Sequence, residues 1–521
     1  MNYDGRQQIF TDVDTITYEN VLDVLRKAMS IHAANASDSN FLIDFEKGKQ
    51  PLMRTKKYRS DIDIQCVDNL ANEITNFKTS YQWSNPITLV QRGKNDSGKQ
   101  YEADAITLLN ECFDSEDARA KTQELAYFVE VTGVGFTMLD VNTEYVDGDS
   151  YFRYLVLDPR NTFVIRSSNY PDKRVMMAVT YSMDGLRNKH FTCFTNDTRF
   201  EIENMTTIVN GKEVKDVDEW LHKQRSGERN MLGIIPIVEW MRAYDRMGCF
   251  ERQIDDMNTL NIMQSDFAND VDQNTQCIWH GNDIDFPKDE EGNDLKPQSN
   301  DWLITYTAQN GTQPRVTALA VDYDYNGIQA NIINKRTLIL QKCSVPQRND
   351  NSGGSTGIAM SDATGWSQAE VEANKQQAIS EISKIQEVKI ALKIINDVSV
   401  NVPGDSPLRK LRYSDVKPNI KRQKTYEMTT KINAYATAIK HGIDYKSMLA
   451  AINFFDDPMQ VAEDSKKTTE RFLDSIFNKE EITEKIDVNK TKEKADEEPD
   501  ADRTTQDYSD QEDNSPMMQG K

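Results

Sequence analysis

The feature that most constrains this chain is a pair of helix patterns separated by a long polar loop. The first pattern spans Gly327–Cys343, and the second runs from Ser367 to Asp397. The segment between them begins at Val345 and is rich in glycine and polar residues for about twenty positions. Loops of that length inside a compact domain are mostly functional or disordered. The sequence therefore marks this loop as the first place to look for a function.

The second helix pattern is the longest in the chain. About thirty helical residues rise about 45 Å, which is long for a helix of a globular protein. Its apolar residues recur every three or four positions, as a single buried helix face requires. The predicted buried face consists of Ala378, Ile382, Ile385, Val388, Leu392 and Ile395.

The overall charge restricts how the chain can meet nucleic acid. The chain has 521 residues, enough for about two to four domains, and a formal net charge of -22. A protein that grips DNA over most of its surface needs lysine and arginine to neutralise phosphates, so this charge argues against such a protein. The charge is compatible with DNA that passes through a channel without sticking to it.

The cysteines and the N-terminus indicate a protein made in a reducing compartment. The six cysteines occur singly, without the CxxC spacing of zinc sites or the pattern of a disulfide framework. The first residues lack the basic and apolar regions of a signal peptide, and the most apolar run, Met231–Met241, is too short to span a membrane. We therefore expect a cytosolic product without a membrane span.

The first half of the chain predicts an α+β fold. Turn residues separate short strands at hairpin-like intervals between Phe136 and Phe194. A further strand is predicted within Leu232–Trp240. Helices are predicted at Tyr18–Ala34, Ile64–Tyr81, Tyr101–Phe113 and Ala118–Thr132.

The middle of the chain predicts two helices that pack along their length. Phe250–Val271 carries apolar residues at a mean step of about 3.5, which is typical of lengthwise helix packing. Gly327–Cys343 is the natural partner, and Asp272–Tyr325 lies between them with short strands such as Trp302–Thr307 and Val316–Val321. This order predicts a two-helix stalk with a small β-rich knob at its end.

The region after the long helix predicts a strand, three helices and a tail. The strand is Leu408–Tyr413, and the tail from Asn478 is acidic, poor in hydrophobic residues and disordered by composition. The three helices are predicted at Lys421–His441, Tyr445–Ile452 and Gln460–Phe477.

One segment comes close to a nucleotide-binding motif. Gly93–Lys99 matches the first seven positions of a P-loop, but Gln100 stands where a serine or threonine must hold Mg²⁺. The preceding strand also lacks the long apolar character of a central parallel strand. A surface loop is the favoured interpretation, with nucleotide binding through Gly93–Lys99 kept as an alternative.

Other enzyme and metal motifs fail on their context. Gly353–Gly357 matches GxSxG, but a nucleophile elbow needs a strand directly before the serine, and here a polar loop precedes it. Asp322–Gly327 opens like a calcium loop, but Ile333 stands at the twelfth position, and Asn326 is better interpreted as a helix N-cap. We therefore predict no catalytic residues, no metal site and no cofactor.

Basic residues cluster at the end of the first helix pattern and at the start of the loop. In an assembly, these cations from several subunits could contact the phosphates of DNA together. On a single subunit, they could equally be the solvated end of a helix. The cations are Lys335, Arg336, Lys342 and Arg348.

Several short segments carry a family resemblance through their sequence and their order. Ile234-Ile235-Pro236-Ile237 leads into Ile254-Asp255-Asp256-Met257-Asn258 and then Ser265-Asp266, as a strand, a turn and a helix. Ser355–Met360 is similar to an SGxA signature before a long helix, with one residue inserted. Two further segments are Asn85-Pro86-Ile87, which lacks the glycine expected before it, and Asp457-Pro458. In these segments the chain resembles the portal proteins of tailed bacteriophages of the siphophage type, and the resemblance covers roughly Ile43 to Phe472.

The resemblance implies a portal fold that assembles as a ring, usually of twelve subunits, at one vertex of the capsid. DNA enters and leaves through the central channel of such a ring. The implied regions are an N-terminal α+β wing at 1–245, stem helices at 246–271 and 326–343, a clip at 272–325, a tunnel loop at 344–365, a long wing helix and strand at 366–418, a crown at 419–477 and an acidic tail at 478–521.

The resemblance also implies residues and partners. The partners are further copies of the chain, the terminase large subunit, a head–tail adaptor, the major capsid and scaffold proteins, and double-stranded DNA without sequence specificity. The location is the virion, after synthesis in the host cytoplasm. The tunnel-loop residues are Gln347, Arg348, Asn349, Asp350, Asn351, Ser352, Gly353, Gly354 and Ser355, with Lys335, Arg336 and Lys342 as channel-facing candidates on the stem.

Two other functions stay open at this point. One is a nucleotide-binding enzyme that uses the incomplete P-loop. The other is a scaffold or adaptor protein outside the portal family, whose long helices make ordinary coiled-coil contacts.

Overall fold

The computed structural model describes the larger part of the chain. The described residues are 5–51, 63–92, 100–169, 171, 173–183, 189–204, 207–209, 212–214, 225–275, 278–282, 290–292, 315–319, 324–347, 365–399, 401–422, 428–443, 448–449, 461–462, 465 and 468.

In the first half of the chain, four described helices and two strands precede a run of ten strands, and helices dominate the second half. The helices are α1 Val21–Glu46, α2 Leu70–Gln82, α3 Gln100–Asp114, α4 Ala118–Thr132, α5 Ile254–Thr275, α6 Tyr325–Lys342, α7 Trp366–Lys393 and α8 Met428–Lys440. The strands are β1 Ile9–Thr11, β2 Thr88–Gln91, β3 Val134–Val141, β4 Phe152–Leu157, β5 Thr162–Ser167, β6 Val175–Met183, β7 Lys189–Phe194, β8 Thr198–Asn204, β9 Thr207–Val209, β10 Lys212–Val214, β11 Arg225–Arg229, β12 Ile237–Met241, β13 Ile278–Asn282, β14 Arg315–Leu319 and β15 Val416–Asn419.

Two sheets organise the N-terminal part. The larger has the order β1-β5-β6-β7-β8-β11 and is antiparallel except for the parallel pair β1 and β5. The smaller is antiparallel with the order β12-β3-β4. Short pairs β9–β10, β13–β14 and β2–β15 complete the described strands. Phe136 of the smaller sheet and Val164 of the larger sheet share one buried cluster, so the two sheets pack together. This mixture confirms the predicted α+β class.

Helices cover both sheets with separate apolar clusters. Helix α1 packs Val21 and Leu25 on Phe163 and Ile165 of the larger sheet. Helices α3, α4 and the end of α7 form a second cluster with the smaller sheet around Trp240. Helices α1, α3 and α4 therefore each bury an apolar face, as the helical spacing in the sequence requires.

Several predicted elements are confirmed and some need correction. Helix α4 has the predicted bounds, whereas α1 continues beyond the predicted end at Ala34, because Leu42 and Phe45 extend its buried face. The predicted strand Leu408–Tyr413 is wrong. It forms 3-10 turns, because Pro407 begins a turn that Ser406 caps by accepting the Leu408 N–H, and the strand starts only at Val416.

The predicted buried face of the long helix α7 is correct only in its second half. Val388, Leu392 and Ile395 are buried, but Ala378 is exposed and Ile382 is 57% exposed. Ile385 is half-buried. Around Ala378 and Ile382 the helix buries mostly polar and small side chains, together with Ile379. These buried residues are Ala373, Gln376, Ile379, Ser380, Ser383, Lys384 and Glu387.

A buried carboxylate explains the orientation of α7. The Glu387 Oε1 accepts hydrogen bonds from Thr137 Oγ1 at 2.5 Å and from Trp240 Nε1 at 3.0 Å. Its other oxygen binds Lys384 Nζ at 2.9 Å. Burial, together with the neighbouring Glu387, raises the pKa of Tyr154 well above its ordinary value. A buried charge requires such partners, so the polar residues of α7 face the sheet and the apolar Ile382 faces outward.

The later regions are described in part. Asp324, and not Asn326, is the N-cap of α6, since its Oδ1 accepts the Gly327 N–H at 2.9 Å. Strand β14 corresponds to the predicted Val316–Val321, and α8 to part of the predicted Lys421–His441. Predicted strand Trp302–Thr307 and the tail from Asn478 lie outside the described residues, as do most of the helices Tyr445–Ile452 and Gln460–Phe477. Within the described part of the chain, no helix combines the length and apolarity that crossing a membrane requires.

Candidate functional site

Helices α5 and α6 form the predicted lengthwise pair. Met257 and Leu260 near the start of α5 share a buried cluster with Leu340 near the end of α6. At the opposite end of the pair, the rings of Phe267 and Tyr325 meet edge to face at 5.9 Å. The two helices are therefore antiparallel. Strands β13 and β14 pair between them in sequence, which agrees with the predicted helix–β–helix excursion.

The paired helices carry opposite charge. Helix α5 holds five aspartates and no lysine or arginine, whereas α6 holds three basic residues and no carboxylate. Lys335 and Lys342 of α6 both reach Asp256 of α5, at 2.6 Å each. Hydrogen bonds from Lys335 and Lys342 lower the pKa of Asp256. The charges therefore hold the start of α5 to the second half of α6.

The structure places all three predicted stem cations in ion pairs. Lys335 and Lys342 bind Asp256, and Arg336 binds Asp68 at 3.1 Å and also Glu73. The Lys342 side chain is still 52% exposed. The cations thus lie at the surface of the helix pair with their charge partly balanced, and their predicted orientation toward a channel stays a prediction.

An extended segment is bound along α5 by a row of polar side chains that the sequence did not reveal. Asn261, Ser265 and Asn269 stand four residues apart on α5 and accept backbone N–H groups from residues 68, 66 and 64, at 2.9, 2.9 and 2.7 Å. Four helical residues rise about 6.0 Å and two extended residues about 6.6 Å, so the two spacings match. The sequence signal that could have predicted this contact is the spacing of these polar residues, four apart on one face of α5.

The polar loop begins and ends at one point on the protein. A β-carbon on Gly365 would lie 3.9 Å from the Cα of Pro346, although residues 347–364 separate the two. Gly365 has a φ of +87°, and it starts α7 in a left-handed conformation that favours glycine. Trp366 packs on Tyr81 and Phe77 of α2, with ring centroids at 5.5 and 5.9 Å. The two described ends of this segment therefore lie together on a packed base.

Ion pairs fix both sides of this base. Lys78 of α2 binds Glu372 of α7 at 2.6 Å and reaches the Ser344 carbonyl oxygen at 3.5 Å. Arg242 also binds Glu372, so this carboxylate joins three elements. Burial raises the pKa of Glu372, but Lys78 and Arg242 lower it more, and the net shift is downward. Two residues earlier in α7, Glu370 accepts the Tyr81 hydroxyl at 2.5 Å.

The nine tunnel-loop residues are described only at their first member. Gln347 is half-buried beside a cavity of about 940 Å³ between α2, α6 and the loop base. Arg348, Asn349, Asp350, Asn351, Ser352, Gly353, Gly354 and Ser355 lie outside the described residues. Their predicted role in a channel therefore stays a prediction.

The competing motifs gain no support from their described surroundings. Gly93–Lys99 and Gly353–Gly357 lie outside the described residues. Strand β2, which precedes the first of these, pairs antiparallel with β15 in a two-stranded sheet. A P-loop follows a strand of a parallel sheet, so this context is the wrong one. Among the described residues no group of histidine, cysteine and carboxylate side chains could hold a metal ion.

Four of the five described cysteines are buried, and Cys66 is half-buried. Cys66, Cys112, Cys193, Cys249 and Cys343 are free. Burial raises the pKa of Cys112 to about 11 and that of Cys343 to about 12. A reactive cysteine needs a lowered pKa and access to solvent. These two thiols therefore have the properties of core residues.

One comparison with known proteins gives a match over most of the chain. The family model described as phage portal protein, SPP1 Gp6-like, matches residues 18–472. The matched range contains the smaller sheet, the larger sheet except for β1, the α5–α6 pair, the loop base and the long helix. No curated protein matches the chain.

Proposed function

The chain belongs to the SPP1 Gp6-like family of phage portal proteins, and on this premise we propose that it forms a dodecameric ring that conducts double-stranded DNA. Proteins of this family are structural components of the virion capsid and are in general not enzymes. In our proposal the ring occupies one capsid vertex and serves both packaging and ejection of the genome.

The closed loop is the observation that carries this proposal. Pro346 and Gly365, the residues on either side of segment 347–364, lie side by side. Lys78 and Glu372 fix this base to α2 and α7. A loop that is anchored at both ends can change shape without moving the helices that hold it. Repeated around a ring, such loops would form a flexible collar, with Gly353 and Gly354 providing conformational freedom.

The charge distribution supports passage of DNA in place of tight binding. Tight binding to DNA follows from the release of counterions when lysine and arginine neutralise phosphates. The net charge of -22 per chain would make a channel wall of many copies repel phosphate. Lys335 and Lys342 already share Asp256, which weakens their attraction for DNA. Contacts to the backbone would then be transient and independent of base sequence.

We assign the described elements to the regions of a portal subunit on the same premise. Helices α5 and α6 form the stem, β13 and β14 belong to the clip, and residues 344–365 form the tunnel loop. Helix α7 is the long wing helix, and α8 belongs to the crown. The clip is the docking region for the terminase large subunit and the head–tail adaptor, since exposed strand edges suit pairing with a partner strand. The wing faces the capsid and scaffold proteins.

Electron microscopy of the purified full chain tests the proposal. We expect negatively stained particles to be rings with a central hole, and averaged top views to give the number of subunits. Sedimentation velocity of the same sample should show an oligomer of matching mass. Monomers that persist at high protein concentration in both measurements would overturn the proposal.

A further inference from the structure

A groove with apolar walls runs between strand β12 and helix α7. It has a volume of about 480 Å³, and Ile235, Met241 and Ile379 line it. At its opening Tyr244 is 75% exposed and Ile382 is 57% exposed. Large apolar side chains that gather at an open groove mark a surface that another protein segment covers.

The rim of this groove is positively charged. Among the described residues that line it, Arg166, Lys173 and Arg174 are basic, and Glu239 is the one carboxylate. Glu239 is buried, and it already binds Arg166 at 2.6 Å and Arg246 at 2.5 Å. The groove is therefore cationic on a chain whose net charge is -22. An occupant with an apolar tip and acidic flanks would complement it.

The hairpin between strands β3 and β4 has these two properties. Its carboxylates are Asp140, Glu144, Asp147 and Asp149, and residues 140–149 contain no lysine or arginine. Val146 stands at the tip and is 66% exposed. Arg153 of β4 pairs with Glu144 at 2.6 Å, and Asp140 lies in β3 opposite Arg153, so Asp147 and Asp149 are the carboxylates at the tip.

The hairpin holds its shape without packing on another element at its tip. The Val146 N–H donates to Asp149 Oδ2 at 3.1 Å, and the Asp149 N–H donates to the Val146 carbonyl at 2.9 Å. Gly148 completes the turn with a φ of +97° and has no neighbour within 4 Å of a β-carbon position. Tyr145 stacks on Tyr151 at 5.4 Å below the tip. A segment that is already ordered loses little conformational entropy when it binds.

The hairpin tip and the end of the groove at Met241 lie at opposite ends of one sheet. Met241 pairs with Val134 at the first residue of β3, and Val141 at its last residue pairs with Phe152 and leads into the hairpin. Eight strand residues span about 26 Å, so the hairpin does not reach that end of its own groove. Two complementary surfaces at opposite ends of a rigid sheet suit a contact between copies that repeats head to tail.

We propose that the acidic β3–β4 hairpin of one subunit inserts Val146 into the cationic apolar groove of the next subunit. The contact is heterologous, so it repeats around a closed ring without a two-fold axis. This inference rests on the proposed ring, and it adds which surfaces of the chain join neighbouring subunits. Insertion covers Ile382 and Tyr244 and brings Asp147 and Asp149 close to Lys173 and Arg174.

Cysteine cross-linking in the full chain tests this contact. The doubly substituted chain Val146→Cys/Ile382→Cys is oxidised and separated on a denaturing gel without reductant. We expect a ladder of dimers, trimers and larger species that contains most of the protein, because each subunit then bonds to two neighbours. Each single variant reports on the native thiols, and Val146→Cys/Met183→Cys is the matched control, since Met183 is 59% exposed and does not line the groove. These three variants should remain largely monomeric on the gel.

The outcomes separate this inference from the proposed function. If microscopy shows rings but the gel shows no ladder, the hairpin contact is overturned and the portal role stays intact. The same result is expected if the hairpin binds a capsid protein. A dimer band alone would indicate a two-fold contact and would also overturn it. Monomers in every assay would overturn the ring itself.

In a second test, Arg174→Glu and Asp147→Lys should each weaken ring formation at least several-fold, and their combination should restore it.

Discussion

Pro346 and Gly365 lie next to each other, with 3.9 Å between the Pro346 Cα and a β-carbon position on Gly365. The packing of α2, α6 and α7 therefore holds the two residues that flank segment 347–364 at one place. Because the base is held by side chains outside the loop, shortening the loop should not disturb the body of the subunit. Closing a shorter loop also costs slightly less entropy.

Deletion of Ser352–Gly357 should separate assembly from packaging. We expect the variant to form rings of normal appearance, because its anchors Trp366 and Glu372 are unchanged. Packaging of DNA into capsids should fall strongly, since the collar then lacks its two adjacent glycines. Nuclease-protected DNA measures packaging, and negative-stain microscopy measures assembly. Failure to assemble would contradict the assignment of this segment as a tunnel loop.

Substitutions on α7 should show that its polar face is the buried one. Glu387→Ala leaves Lys384 buried without its carboxylate partner, and such a change costs about 3 kcal/mol or more. Ile382→Ala on the same helix removes a side chain that is 57% exposed and should change the stability of the monomer by about 0.5 kcal/mol or less. Thermal unfolding at low protein concentration measures both. A larger loss for Ile382→Ala than for Glu387→Ala would contradict the orientation of α7.

The polar row on α5 predicts a local effect in hydrogen exchange. Ser265→Ala removes the acceptor of the Cys66 N–H, which costs about 1–2 kcal/mol. The amide of Cys66 should then exchange about tenfold faster or more. Thr259→Ala is the control, because the Thr259 hydroxyl is exposed and donates only to the carbonyl of Asp255 within its own helix. Equal exchange at Cys66 in both variants would contradict a role for Ser265 in holding this segment.

His32 predicts a loss of stability in mild acid. Burial lowers its pKa to about 4 from 6.5, and its Nε2 lies 3.0 Å from the Arg160 carbonyl oxygen. Above pH 6.5 His32 is neutral in both the folded and the unfolded state. Between about pH 6.5 and about 4 the unfolded state binds a proton more readily than the folded state, so the free energy of unfolding decreases as the pH falls through this range. The shift corresponds to about 3 kcal/mol.

The variant His32→Gln isolates this effect. Its melting temperature should be lower than that of the parent at pH 7.5, and the difference should shrink as pH falls to 4.5. Asp44→Asn is a control for general acid effects, because this exposed carboxylate has a lowered pKa and titrates below 3.8. Parallel pH profiles for the parent and His32→Gln would contradict the assignment to His32.

The sequence determined the helices, the lengthwise helix pair and the polar loop, because these depend on local spacing. Apolar residues at steps of three and four predict α4 and α7 wherever the rest of the chain lies. The same spacing predicts that α5 and α6 pack together. The family resemblance depended on the order of such segments along the chain. The family-model match over residues 18–472 confirms this resemblance.

Only the tertiary structure decided which way α7 faces and which partners its charges find. Apolar spacing favoured Ile382 as a core residue, but Glu387 meets Thr137, Tyr154 and Trp240 from three different strands. No local pattern reveals such partners, and burying a charge without them is too costly to occur. The contact between Pro346 and Gly365 likewise depends on three helices that are distant in sequence. Long-range partners fix orientation, whereas local spacing fixes only the existence of a helix.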